Sequence, residues 1–396
     1  MPISEYDAIV LGAGAAGLMC AAVAGQRGRR VLVIDHADQP GKKILISGGG
    51  RCNFTNLGTA PERFISANPH FARSALARYE PADFLALVEQ HQIAWHEKKL
   101  GQLFCDGSAR QIVDMLLDEC ARGPVELALG QSITEIDHAD ALFRVSWGDR
   151  TAQARALVIA TGGPSIPKMG ATGFAYDLAR RFGLKIVEPR PALVPLTLGG
   201  DDVLFRSLAG VSADIVATAG AKAGKVAFRE AGLFTHRGLS GPAILQISSY
   251  WRHGEQIAID FLPDRAPGWL KAAKRTSPRA TATRVLAGAL PERLAEALGE
   301  RLGLRGELAN LPDAGLATAE QALAGWRFAP NGTEGFAKAE VTAGGVSTRE
   351  LSSQTLEARR TPGLHVIGEA VDVTGWLGGY NFQWAWASGW AAAQAL

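Results

Sequence analysis

The chain opens on an uninterrupted apolar run, Ala8-Ile9-Val10-Leu11, and a second such run, Val31–Ile34, ends on Asp35. Strands buried on both faces of a parallel sheet read this way, because neither face alternates with polar residues. Between the two runs lie closely spaced glycines and then small residues from about Gly14 to Gln26, which Gly28 interrupts. The first forty residues therefore predict strand, glycine turn, helix, strand. Helical periodicity returns over Ala82–Gln90 and Arg110–Cys120. Ser132–Ile136 and Phe143–Trp147 read as a hairpin that leads into a strand at Ala156–Ala160.

The pattern then changes. From Pro189 to about Leu262 the apolar positions fall in short runs, such as Asp214–Thr218, Lys225–Phe228 and Gln256–Phe261, which predict a small antiparallel sheet or barrel. From Pro267 to about Phe328, Ala, Leu and Arg recur at helical spacing between Pro263 and Pro330. Strand character reappears at His365–Ile367 and a last helix fills the tail. An α/β start, a β stretch, a helical stretch and a return to α/β describe a discontinuous domain with an insertion. The tail from Val373 to Leu396 has no charged side chain and is long enough to span a bilayer. Gly375, Gly378, Gly379, Asn381, Gln383 and Ser388 interrupt it, so a buried glycine-rich segment is expected instead.

Composition adds limits. A length of 396 residues predicts two or three domains, and 47% hydrophobic against 20% charged residues is a globular balance. Forty-one Lys plus Arg against 39 Asp plus Glu leave a net charge of +2, which predicts no strong pull toward nucleic acid or an anionic membrane. Cys20, Cys52, Cys105 and Cys120 show neither CxxC spacing nor a metal-ligand pattern. They are expected as free thiols in a reducing compartment, with no metal site. The N-terminus lacks a basic stretch and a small-residue cleavage site, so the cytoplasm is the expected location.

The chemistry begins at Gly12-Ala13-Gly14-Ala15-Ala16-Gly17, a GxGxxG placed after a predicted strand and opening a predicted helix. The first glycine permits a tight turn, the second lets backbone approach a pyrophosphate, and the third allows close helix–strand packing. The helix N-terminus offers N–H groups and a positive dipole end to phosphate. Asp35 stands where a carboxylate can take ribose hydroxyls. This fingerprint leaves FAD and NAD both open. Next comes Gly41-Lys42-Lys43-Ile44-Leu45-Ile46-Ser47-Gly48-Gly49-Gly50-Arg51-Cys52-Asn53-Phe54-Thr55-Asn56, in which three consecutive glycines let backbone come close to a flat ligand.

This loop resembles the GGGRCN-type segment of the HI0933-like (YhiN/BaiN-like) family of FAD-dependent oxidoreductases. Further similar segments follow in order: Ala160-Thr161-Gly162-Gly163, Phe234-Thr235-His236-Arg237-Gly238-Leu239-Ser240-Gly241-Pro242, Ala339–Val346, Gly368-Glu369-Ala370-Val371-Asp372 and Gly378-Gly379-Tyr380-Asn381-Phe382-Gln383-Trp384-Ala385. One departure is Gly375-Trp376-Leu377-Gly378, where much of the family has a Gly-Pro-Thr-Gly-like turn; it points to a divergent subgroup.

The resemblance implies a Rossmann-type FAD-binding domain over 1–188 and 336–396, an inserted β-barrel-like domain over 189–264 and a helical insert over 265–335. It implies FAD held by Gly12, Gly14, Ala15, Ala16, Gly17, Asp35, Lys43, Ser47, Gly48, Gly49, Arg51, Cys52, Asn53, Ala160, Thr161, Gly162, Gly163, Gly368, Glu369, Asp372, Gly379, Tyr380, Asn381 and Gln383. A helix beginning at Tyr380 or Asn381 would place its positive end toward a reduced flavin ring.

Cys52 is a redox-thiol candidate without a partner cysteine, and His236 is either a proton donor or a structural histidine. Trp376, Trp384, Trp386 and Trp390 are core residues or pocket walls. The expected function is an FAD-dependent, NAD(P)H-linked oxidoreductase acting on a small organic molecule. A single Rossmann fingerprint means that NADH or NADPH binds only transiently. The alternatives are a flavin-containing RNA-modification factor, for which basic residues within Lys271–Arg284 and Arg301–Arg305 speak, and a non-catalytic flavin protein. The sequence leaves the oligomeric state open.

Overall fold

The structure, a computed structural model, describes residues 3–220 and 224–396. The chain forms two compact units, 1–190 with 341–396, and 191–340.

The first unit is built on a sheet whose strand order is Val125–Ala128, Val31–Ile34, Ser4–Leu11, Arg150–Ile159, Leu142–Trp147 and Ile133–Ala139. Leu364–Val366 pairs in parallel with the end of Arg150–Ile159, Leu157 facing Leu364. The apolar runs of the sequence are the central parallel strands: Ala8–Leu11 pairs with Val31–Ile34 on one side and Ala156–Ile159 on the other. Every residue of Val31–Ile34 is buried. The strand expected at Ala156–Ala160 is the far end of a ten-residue strand. Its first half alternates in burial and pairs antiparallel with Leu142–Trp147, whereas its last four residues are wholly buried between parallel neighbours.

The helix Ala15–Gln26 packs directly against the C-terminal helix Tyr380–Ala393. Gly389 makes that approach possible, since a Cβ there would stand 2.5 Å from the Ala16 carbonyl oxygen. The glycine-rich segment after residue 41 is more ordered than a loop. It forms the short helix Lys42–Ile46, a tight turn through Ser47–Gly50 and the strand Asn53–Asn56, which pairs with Gln102–Cys105. Asn53, Phe54, Thr55 and Asn56 alternate too weakly for the pattern to announce a strand.

The second unit holds an antiparallel sheet in the order Trp326–Phe328, Ile257–Asp260, Ser212–Ala219, Val226–Phe234, Gly238–Ser240, Leu196–Leu198 and Pro330–Thr333. Helices Trp269–Thr276, Ala282–Ala287, Glu292–Arg301 and Asp313–Leu323 follow, burying Leu270, Leu286, Leu294, Leu298, Leu316 and Leu323. Trp326–Phe328, read as the end of the helical stretch, is instead the edge strand of this sheet, with Phe328 opposite Ile257. Three residues carry no helical period, and their partner is distant in sequence. Among the described residues no helix is long and apolar enough to cross a membrane.

Candidate cofactor site

The turn Gly12–Gly17 joins the first strand to the first helix at the carboxyl end of the parallel sheet. Gly12 has φ +107°, and a Cβ on it would stand 2.7 Å from the Ala160 carbonyl oxygen. A Cβ on Gly17 would stand 1.9 Å from the Gly12 carbonyl oxygen. Both glycines are therefore required by packing. Gly14 is different: its φ of −85° suits any residue and nothing lies within 4 Å of where its Cβ would be. No internal constraint calls for glycine there, so the position is suited to a group that lies against the backbone. The helix that follows has no side-chain cap and no acidic residue in its first turn, which leaves its positive end open to an anion.

Asp35 braces this turn. One carboxylate oxygen accepts from the Ala13 N–H at 2.7 Å and the other from the Ala37 N–H at 2.8 Å. Beside Gly12, just after the neighbouring strand Arg150–Ile159, the Thr161 hydroxyl is buried without a hydrogen-bond partner. An orphaned buried hydroxyl is costly, by about 1–3 kcal/mol, unless a ligand completes it.

Lys43 and Glu369 meet each other. The Lys43 Nζ donates to Glu369 Oε2 at 2.5 Å and to the Ser165 hydroxyl at 2.6 Å. Glu369 Oε1 also accepts from the Ser165 hydroxyl and from the Thr342 N–H. Asp372 is buried, accepts from the Ala67 N–H at 2.9 Å, and burial pushes its carboxyl up to about 6. Ser47 donates its hydroxyl to the Ile44 carbonyl. Gly48 and Gly49 have φ of +58° and +68°. Arg51 is exposed, and the Asn53 and Gln102 amides pair at 3.3 Å.

The C-terminal residues are divided. The helix begins at Tyr380, after Gly379 with φ +97°, and again has no side-chain cap. The Asn381 side chain turns back on the chain, accepting from the Gly375 N–H and donating to the Gly375 and Trp376 carbonyls. Gln383 is fully buried, donating to the Tyr79 carbonyl and accepting from the Thr55 hydroxyl. The Tyr380 hydroxyl accepts from Arg63. These three side chains hold the segment in place. Trp384 and Trp386 are core residues, and Trp376 and Trp390 are half-buried.

Cys52 is fully buried at φ +48°, and burial raises its thiol pKa well above the ordinary range. A thiol kept protonated and shielded is a poor nucleophile, so the geometry gives a Cys52 redox role no support. His236 is exposed in the second unit, next to Arg237. Both line a cavity to which Thr197, Arg206, Asn331 and Thr333 also contribute. The last four were not identified from sequence, because they come from separate segments that share no local pattern.

The HI0933-like protein Rossmann domain model matches residues 6–395. The chain belongs to this family. Ribosomal RNA dihydrouridine synthase of Escherichia coli (strain K12) is 52% identical over all of this chain and 98% of that protein. The protein of the same name from Haemophilus influenzae is 44% identical, over 100% of this chain and 99% of its own length. The 3-dehydro-bile acid delta(4,6)-reductase of Clostridium scindens is 31% identical over 98% of each chain.

Membership in the HI0933-like family makes FAD the cofactor and the chain a flavin-dependent enzyme. The room at Gly14, the open helix end and the unpartnered Thr161 hydroxyl fit that group. The relatives also correct two expectations. Two full-length relatives are named for action on ribosomal RNA, against the expectation of a small organic substrate and of no strong nucleic-acid signal, and in favour of the RNA-modification alternative.

Proposed function

We propose that this protein is a ribosomal RNA dihydrouridine synthase, which uses FAD and a reduced nicotinamide to saturate the C5–C6 bond of a uridine in rRNA. The observation that carries this reading is the 52% identity, end to end, with a protein of that name. The more distant reductase supports the chemistry. Read as structures, both names describe hydrogenation of a carbon–carbon double bond conjugated to a carbonyl. In uridine the C4 carbonyl makes C6 the electrophilic carbon. A hydride is delivered to C6, a proton is added at C5, and the nicotinamide is oxidised in exchange. When bound, FAD supplies the hydride relay between the two.

The residues of the chain bind and orient. Gly12, Gly14, Ala15, Ala16 and Gly17 would hold the pyrophosphate, with Asp35 toward a ribose. Ala160, Thr161, Gly162 and Gly163 border the same turn, and Gly48, Gly49, Arg51, Gly368, Asp372 and Gly379 furnish backbone and charge for the rest. Lys43 and Glu369 act as a pair that fixes this wall, and Ser47, Cys52, Asn53, Tyr380, Asn381 and Gln383 support it from behind. A ribosomal substrate is compatible with the cytoplasmic location expected from the sequence. With one Rossmann fingerprint, already assigned to FAD, the nicotinamide binds transiently.

The test is anaerobic incubation of the flavin-loaded protein with NADPH or NADH and unmodified rRNA, then nucleoside mass spectrometry. Dihydrouridine at a defined position is the expected result. Flavin that is reduced and reoxidised by enone substrates, with no dihydrouridine in any rRNA, would return the protein to small-molecule chemistry.

A further inference from the structure

A cavity of about 480 Å³ opens in the second unit. Its walls come from three adjacent strands. Leu196–Leu198 pairs with Gly238–Ser240 and with Pro330–Thr333, which brings Thr197, the His236–Arg237 turn and Asn331 together. Arg206 completes the wall from the turn of helix at Gly200–Leu208. Every lining residue but Gly332 has a polar side chain, unlike the mostly apolar lining usual for small organic ligands.

Its donors are disposed for an anion. The Thr197 hydroxyl donates to Asn331 Oδ1 at 2.7 Å, which fixes the amide orientation. Arg206 donates one Nη to the Leu198 carbonyl, while its Nε–H is buried with no acceptor. Arg237 is 69% exposed, and among the described residues the carboxylate paired with it is Glu334, 3.6 Å away. Among the described lining residues, Arg206 and Arg237 against the Glu334 carboxylate leave the cavity positive. Guanidinium forks match phosphate oxygens, and Thr, Asn and His offer hydrogen bonds to a sugar or a base edge.

Resting on the proposed function, we infer that this cavity is an RNA subsite that holds one nucleotide of the rRNA chain, with its phosphodiester against Arg206 and Arg237. The volume lies within the range of about 300–1,000 Å³ usual for ligand pockets, room enough for one nucleotide. The site contributes binding and register; the reduction itself needs none of these residues.

The experiment uses flavin-loaded Arg237→Gln, Arg206→Gln and the double variant. The probe is an rRNA fragment, with affinity followed against KCl concentration. For every phosphate that is no longer neutralised, the slope of log affinity against log salt falls by about 0.7–0.9. The double variant is expected to bind at least about tenfold more weakly with a slope reduced by about 0.7–0.9, one phosphate's worth. Flavin absorbance and flavin reduction by NADPH stay as in the wild type, and Arg237→Gln also keeps the wild-type melting temperature. Should Arg206→Gln not fold, the exposed Arg237→Gln alone decides, with weakened RNA binding and a slope reduced by up to about 0.9. Unchanged affinity and slope overturn the inference. So does a raised KM for NADPH with unchanged RNA binding, which would give the cavity to the nicotinamide phosphates. Wild-type enzyme that makes no dihydrouridine sinks the proposed function instead, and the binding measurement still decides the cavity.

Discussion

Gly14→Ala and Gly17→Ala add the same methyl group to two glycines of one turn, and the structure gives them opposite consequences. At Gly17 the new carbon would stand 1.9 Å from the Gly12 carbonyl oxygen and 3.3 Å from the Ala160 Cβ. Backbone has to move, and overpacking of this kind costs about 1–3 kcal/mol or more. At roughly 2–4 °C per kcal/mol for a unit of this size, the melting temperature falls by several degrees with or without FAD. At Gly14 the carbon meets no atom within 4 Å and φ is ordinary. The gain from a stiffer unfolded chain, about 0.4–1 kcal/mol, offsets the poorer N-cap, so apoprotein stability stays within about 1 kcal/mol of wild type. The clash falls on the ligand instead. If the same 1–3 kcal/mol is charged to binding, FAD affinity drops by roughly five- to hundredfold. Thermal melts of deflavinated protein and FAD titrations followed by flavin fluorescence separate the two effects. Wild-type FAD affinity in Gly14→Ala refutes the placement of the pyrophosphate, and a lowered apoprotein melting point there refutes the claim that the space is free.

Asp372 sets a pH dependence. Burial holds its folded pKa at about 6, above its ordinary value, so the folded state binds the extra proton. Stability from this group is fully present below about pH 4 and is lost as pH rises through 6. Asp372→Asn apoprotein should therefore exceed wild type by at most about 2–3 kcal/mol at pH 8 and by nothing at pH 4, measured by denaturant unfolding; a pH-independent difference would refute this. Cys52→Ala, once loaded with FAD, should reduce its flavin with NADPH at the wild-type rate; lost turnover in folded, flavin-loaded material would restore the thiol to the chemistry. The Trp386 indole donates to the Phe54 carbonyl at 2.8 Å and stacks on Phe84 at 4.3 Å. Trp386→Phe should cost about 1–3 kcal/mol for the orphaned carbonyl and Trp386→Ala about 3–5 kcal/mol. Equal losses in urea titrations would mean the stack contributes nothing.

The parallel core was legible because burial on both faces leaves no alternation, and Ala8–Leu11 and Val31–Ile34 say so with no other information. The GxGxxG was legible for a related reason: two of its glycines are demanded by backbone contacts that the strand–turn–helix order already implies. Partners distant in sequence were not legible. Lys43, Ser165 and Glu369 form one hydrogen-bonded cluster from three separate segments. Read singly, Lys43 and Glu369 look like two cofactor ligands; placed together, each is the other's counter-charge. Asn381 and Gln383 show the same effect. Polar side chains beside a glycine turn suggest ligand contact, yet both spend their amides within the protein, Asn381 on backbone and Gln383 on the Tyr79 carbonyl and the Thr55 hydroxyl.

In the sequence the RNA-modification reading ranked only as an alternative, because a summed charge is blind to where charges are already used. Within the basic stretch Lys271–Arg284, Lys271 and Lys274 both pair with Asp313. Arg301 donates to the Asp201 carbonyl and lies over Phe205. Much of the charge that looked available for RNA in the sequence is engaged within the fold. Arg206 and Arg237, which belong to no basic run, are brought to one cavity by a turn of helix and a strand connection, and the Arg206 Nε–H still lacks an acceptor. Affinity for a polyanion depends on how many phosphates are neutralised at the binding surface, and the excess of cations over the whole molecule does not measure that. A chain at +2 can therefore act on rRNA, provided that its uncommitted guanidinium groups converge, and its salt slope should report a small number of neutralised phosphates.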